Sequence, residues 1–238
     1  MQLWALINKE IKVMFRNVIL YFGDIMIPFV IIGVGLLSSD SLIKEARISI
    51  VWAGIICFAI SSNLSVAQTQ MHKERETKTL LFHYKAGVNK LNFFLSKIIP
   101  GIMQFIVKMG IFIIVITTLD LFEYHFRLQH ILLWLLVCVC CLSVGHLLGI
   151  IFEHFGFALD LLLTMPVLLT AYMPKPVFGP LMVINPFYGV YKIVESMMFE
   201  TSLSITRIMI CLVTIPVCYI IIYIYMNTRE PMKLSKWQ

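Results

Sequence analysis

Apolar residues gather into six long stretches, approximately 18–37, 48–69, 98–119, 131–152, 155–172 and 205–226, separated by polar, charged or proline-rich connectors. A bilayer hydrocarbon core about 30 Å thick is crossed by about 20 helical residues, so each stretch is read as a span. Backbone donors and acceptors find no water at that depth and must pair within their own segment, which makes helix the expected form of each. An even number of spans returns the chain to the side from which it started.

Three segments break the pattern. In residues 1–17, Leu3, Trp4, Ile7, Ile11, Met14 and Phe15 share one face at helical spacing and Lys9, Lys12 and Arg16 share the other. That is the pattern of an amphipathic helix lying in the membrane interface, with Trp4 at headgroup level, rather than of a signal peptide. Residues 71–97 are the most polar part of the chain. Charges alternate from His72 to Lys78, Leu80, Leu81 and Phe82 follow, and Ala86-Gly87 marks a break. Asn89 then stands where it would cap a helix running through Phe93 and Leu95 into the third span. Residues 173–204 hold Pro174, Pro176, Pro180 and Pro186 yet stay apolar. Too broken to span and too greasy for a free loop, they read either as short re-entrant helices dipping into the outer leaflet or as ordinary interfacial packing.

The cations orient the chain. Lys9, Lys12, Arg16, Lys73, Arg75, Lys78, Lys85, Lys90, Lys97, Arg229, Lys233 and Lys236, twelve of nineteen Lys and Arg, share the side of the two termini. The positive-inside rule makes that side cytoplasmic, and the multi-pass chain is expected in the cell membrane.

Composition excludes other classes. Of 238 residues, 60% are apolar and 13% charged, against roughly 25% charged in soluble domains. A soluble globule of this size has too little interior for that much apolar surface, so a soluble enzyme is excluded. The net charge of +6 comes from scarce acids and forms no long basic stripe, so no nucleic-acid partner and no disordered chain is indicated. All six cysteines lie in apolar runs and read as small buried hydrophobes. No G-x-x-x-x-G-K-[ST], H-E-x-x-H or G-x-S-x-G occurs, so no catalytic residue, metal ligand or cofactor is assigned to this chain. Asp120, Glu123, His125 and His130 cluster at one membrane edge with irregular spacing, which favours a wet loop over a metal site.

Asp24, Lys108 and Asp160 fall inside spans, where a charge costs at least about 2.5 kcal/mol and needs a partner, a cavity or the interface. Asp24 and Asp160 lie near the cytoplasmic ends and can snorkel. Lys108 stands about 16 Å above Lys97 and Asp24 about 10 Å above Asn17, a gap a lysine stem covers, so a pair between spans one and three is the first expectation, with cargo contact second. Gly145 and Gly149 allow close helix approach, and His146 beside them reads as a hydrogen-bonded packing residue.

The segment Glu74-Arg75-Glu76-Thr77-Lys78-Thr79-Leu80 through Val88-Asn89-Lys90 to Lys97 resembles the R-E-x-G-T-L and P-V-S-R segments of ABC-2-type exporter permeases. Lys78 replaces that family's Gly, and Gly87 its Pro. Lys9-Glu10 before span one resembles the family's elbow helix, and Asn185-Pro186-Phe187-Tyr188 its N-P-L-x-Y motif. The resemblance implies an all-α membrane fold with six transmembrane helices, an elbow helix, a cytoplasmic coupling helix and outer re-entrant helices. It implies that Glu74, Arg75 and Glu76 make orienting ion pairs while Leu80, Leu81 and Phe82 seat in a groove of a separate ABC ATPase, present in two copies and holding ATP and Mg. It further implies a homodimer, or a heterodimer with a related permease, that exports lipophilic or amphipathic peptide, toxin or drug cargo by alternating access, with Asn185, Pro186, Phe187 and Tyr188 at an outer gate. Membrane lipid is the remaining expected partner. The rival reading is a non-transporting scaffold or sensor that recruits a cytoplasmic partner through residues 71–97.

Overall fold

The computed structural model describes residues 2–16, 26, 29–30, 32–33, 44–77, 79, 83, 86–118, 127–151, 162–167, 182 and 185–228. Helix is the only regular structure among them, in six main elements: α1 (Gln2–Arg16), α2 (Lys44–Glu76), α3 (Lys90–Thr118), α4 (Leu128–Ile151), α5 (Pro186–Phe199) and α6 (Ile205–Thr228). Within the described residues, Lys90–Ile114, Leu128–Ile151 and Ile205–Thr228 are each long and apolar enough to cross a membrane. They correspond to the third, fourth and sixth expected spans. The second expected span, 48–69, is the middle of α2. Most of the first and most of the fifth lie outside the described residues, as do Asp24, Leu80, Leu81, Phe82 and Asp160.

The central element is α2. Every residue from Trp52 to Ile60 is buried, as are Leu64, Ala67 and Met71, so this helix is covered on all sides rather than along one stripe. Phe58 stacks on Phe112 of α3 with ring centroids 4.5 Å apart. Against α4 the contact is backbone to backbone. A Cβ added at Gly145 would stand 2.6 Å from the Leu64 carbonyl oxygen, and one at Gly149 would stand 2.6 Å from that of Gln68. Only the absence of side chains lets the two helices meet here. In a bilayer, where apolar side chains gain little by leaving lipid, such close van der Waals contact is a main source of helix association.

At its polar end α2 runs straight through the expected boundary at 69 to Glu76. The physical reason is local: residues 68–76 include Gln, Met, Lys, Glu and Arg, good helix formers, with no Gly or Pro among them. Thr77 ends the helix, its backbone N–H and its hydroxyl both donating to the Lys73 carbonyl. Gly87 supplies the left-handed turn, φ +66°, that L side chains disfavour, and Asn89 caps α3 by accepting from the Leu91 N–H at 2.9 Å. At the other end of α2, Trp52 packs on Tyr191 and Phe199 of α5. From Trp52 to Glu74 the helix rises about 33 Å, so α5 and the polar end of α2 lie on opposite faces of the bundle.

The α2–α4 contact generates a comparison. Gly145→Ala and Gly149→Ala each push a methyl into backbone and are expected to cost about 1–3 kcal/mol. Gly110→Ala, where nothing stands within 4 Å of the new atom, is expected to be neutral or slightly stabilising. Thermal unfolding of the detergent-solubilised protein separates them. Equal midpoints for all three variants would contradict the close approach.

Candidate functional site

Glu74 and Arg75 are successive residues in the last turn of α2, about 100° apart around the helix axis. They therefore face different neighbours. The Glu74 Oε1 accepts from Lys97 Nζ at 2.5 Å and from Lys9 Nζ at 3.0 Å. Lys97, in the second turn of α3, also donates to Glu10 Oε1 of α1 at 2.7 Å. Lys97 is 2% exposed, Glu10 6% and Glu74 7%, so three charges meet away from water. The half-exposed Lys9 completes a neutral set of two ammonium and two carboxylate groups. Buried charges persist only when paired, because each costs several kcal/mol to desolvate.

His83 closes the cluster. Its Nε2 lies 3.5 Å from Lys9 Nζ and 3.9 Å from Glu74 Oε2. Burial pushes the Glu74 carboxyl up, but Lys97 and Lys9 outweigh it and hold the group below its ordinary range. Burial and the Lys9 charge push His83 down from its ordinary 6.5, so the ring is neutral at pH 7 and can accept from Lys9.

Arg75 turns the other way. It donates to the Ile150 carbonyl in the last turn of α4 and to the Tyr225 hydroxyl of α6 at 3.4 Å. A helix leaves its final carbonyls without intrahelical donors, and a cation there satisfies one and complements the negative end of the dipole. Lys90, at the start of α3, donates to Asn227 of α6 and stands 4.6 Å from the Tyr223 ring centre. Beneath these polar ties lies a small apolar cluster of Met71, Phe93, Phe94, Ile150, Ile222 and Met226. One turn of α2 thus anchors α1 and α3 through Glu74, and α4 and α6 through Arg75.

The family model for ABC-2 type transporters matches residues 1–199. The chain belongs to the ABC-2 type transporter family. It is a membrane permease of the kind that generally works with a cytoplasmic ABC ATPase. No curated protein and no solved structure matches it.

In this permease the structure brings Glu74 and Arg75 together with the chain's own helices, and places Glu76 at the end of α2. Lys108 is buried on α3 at 2% exposure, while Asp24, its expected partner, and Asp160 lie outside the described residues. Asn185 caps α5 by accepting from the Phe187 N–H at 2.9 Å, and its amide donates to the Leu163 carbonyl at 2.9 Å. Pro186 occupies the first turn, where its missing N–H costs nothing, Phe187 is fully buried, and Tyr188 stacks on Tyr191. His146, the packing histidine of α4, has Nδ1 3.0 Å from the Tyr219 hydroxyl. Sequence reasoning missed Lys97 and His83 as members of the charge cluster. The available signal was a lysine at the mouth of a span together with Lys9-Glu10 in an amphipathic helix, but nothing local pairs residues 87 positions apart.

The cluster has a pH signature. A histidine whose folded value is depressed contributes stability that is fully present above its unfolded value and is lost as pH falls. The thermal midpoint of the permease is therefore expected to drop between pH 7.5 and 5.5, and His83→Gln is expected to remove part of that drop. A pH dependence identical in wild type and variant would contradict the placement of His83.

Proposed function

We propose that this chain is the permease of an ATP-driven exporter in the cell membrane, with both termini cytoplasmic, and that residues 71–97 receive a separate ATPase. ATP and Mg are held, and ATP is hydrolysed, by that partner. Two ATPase copies serve a homodimer or a heterodimer with a related permease. Lipophilic or amphipathic cargo, a peptide, toxin or drug, leaves between the two permeases by alternating access, and Asn185 to Tyr188 belong to the outer gate.

The observation that supports this reading is the anchoring at the last turn of α2. In the sequence Leu80, Leu81 and Phe82 come four to six residues after Glu76, and a force applied to the last turn of α2 reaches α1 and α3 through Glu74, and α4 and α6 through Arg75. Charge pairs that are costly to break transmit displacement as rigid-body movement rather than absorbing it. A scaffold has no need of such a linkage.

In the complex purified with its ATPase, Leu81→Asp or Phe82→Asp is expected to release the ATPase, with a loss of about 2 kcal/mol or more if either residue is an interface hot spot. Glu74→Gln is expected to retain the ATPase but to lose most ATP-dependent uptake of a fluorescent amphipathic peptide into inside-out vesicles. Undiminished ATPase retention in both Asp variants would overturn the docking. Undiminished uptake in Glu74→Gln would overturn the coupling.

A further inference from the structure

The helix α1 stands where α3 enters its apolar span: Glu10 of α1 accepts from Lys97, the last residue before the stretch 98–119. Its two sides are unlike. Ile7 and Glu10 are buried against the bundle, whereas Trp4, Ala5, Asn8, Lys12, Phe15 and Arg16 are all exposed. At about 100° per residue these six fall within about 120° of arc. Trp4 and Phe15 lie about 20° apart around the axis and about 17 Å apart along it, and Lys12 and Arg16 lie about 60° and 100° round from Phe15 in the same direction. The sequence pattern placed the apolar residues on one face and the cations on the other. The structure divides them differently, turning Ile7 inward with Glu10, and Trp4 and Phe15 outward with Lys12 and Arg16.

The two outward cations are uncommitted. The other charged residues of α1 are taken up inside the bundle, Lys9 by Glu74 and Glu10 by Lys97. Among the described residues the side chains of Lys12 and Arg16 have no ion-pair or hydrogen-bond partner. Glu10 is the only acid of α1, so the outward face carries two positive charges and no carboxylate. Trp4 is 66% and Phe15 68% exposed. Aromatic rings left open beside cations suit the boundary between headgroups and acyl chains, where aromatic and basic side chains collect.

We propose that this face of α1 docks on an anionic phospholipid surface, with Lys12 and Arg16 against lipid phosphates and Trp4 and Phe15 seated at the boundary between headgroups and acyl chains. Charge complementarity selects the occupant. A phosphatidylcholine headgroup carries a choline cation that offsets its phosphate, whereas phosphatidylglycerol leaves a full negative charge, which raises docking about fivefold for each cation at the surface. A free anion would engage the two cations and leave both rings in water. The arrangement needs only that α3 crosses the bilayer, so it is independent of export and is tested on the permease alone, without an ATPase.

The full-length permease is reconstituted into nanodiscs of dioleoyl phosphatidylcholine, and into nanodiscs of the same lipid with about one-third dioleoyl phosphatidylglycerol. Acrylamide, an uncharged aqueous quencher, reports how open Trp4 is to water, its share being the quenching that is absent from Trp4→Phe. In the mixed bilayer that share is expected to fall to about half or less, and about 0.5 M KCl is expected to restore it by screening. Lys12→Gln with Arg16→Gln is expected to abolish the difference between the two bilayers, and Lys12→Arg with Arg16→Lys to retain it. Both positions are exposed and unpartnered among the described residues, so these variants are expected to fold. Lys73→Gln, which removes an exposed cation of α2 instead, is expected to leave the difference unchanged. Equal Trp4 quenching in the two bilayers, or a difference that survives Lys12→Gln with Arg16→Gln, would overturn the docking. Loss of the difference in Lys73→Gln would assign it to the charge of the whole bundle end and overturn α1 as the site. Trp4 quenching that follows protein concentration in detergent, and not lipid charge, would make the face a contact between two copies and overturn the lipid.

Discussion

Lys97 holds an ammonium group where water does not reach it, and the arrangement of the polar end of the bundle follows from what that group requires. Left alone it would cost several kcal/mol, so Glu74 from α2 and Glu10 from α1 must both be brought to it. Such a joint adds little net stability compared with an apolar replacement, yet it is exacting about position. An apolar contact tolerates a slide of an ångström; a desolvated ion pair loses its partner. The two helices that deliver the carboxylates are thereby fixed against α3, and Arg75 extends the same constraint to α4 and α6 through a helix-end carbonyl and a phenol.

This division of labour suits a membrane protein. Within the bilayer, lipid competes with every apolar contact, and α2 and α4 are held by backbone approach at Gly145 and Gly149. At the membrane edge, charges can be brought together without crossing the hydrocarbon, and they specify which helix stands beside which. A permease whose interior helices are tightly packed and whose end is pinned by ion pairs has few soft internal degrees of freedom. Movement imposed at the end of α2 is then shared among its neighbours.

The spans at α3, α4 and α6 were legible because length and hydropathy are local properties and the bilayer sets the required length. The caps were legible for the same reason: Asn89 before α3 is the residue type that satisfies a free N–H at that point. The continuation of α2 to Glu76 was less so, because a change from apolar to polar composition suggested a boundary that helix propensity does not recognise. The charge cluster was hidden for a different reason. In the sequence Lys9, Glu10, Glu74, His83 and Lys97 are five separate polar residues, and the burial of Glu10, Glu74 and Lys97 is a property of how three helices converge. Within α1 the inward side carries Glu10 beside Ile7, while Trp4 and Phe15 of the apolar stripe remain exposed, so the amphipathic pattern alone does not mark that glutamate as buried.

The most direct test of this account is a thermodynamic cycle on the buried joint. Unfolding of the solubilised permease would be compared for Lys97→Met, for Glu10→Gln with Glu74→Gln, and for all three substitutions together. Lys97→Met leaves two buried carboxylates without their shared cation and is expected to cost about 3–5 kcal/mol, whereas the triple variant, with no buried charge left unpaired, is expected to recover a large part of that loss. Strictly additive losses would mean that the three groups do not depend on one another, and would contradict Lys97 as the residue on which the polar end of the bundle is built.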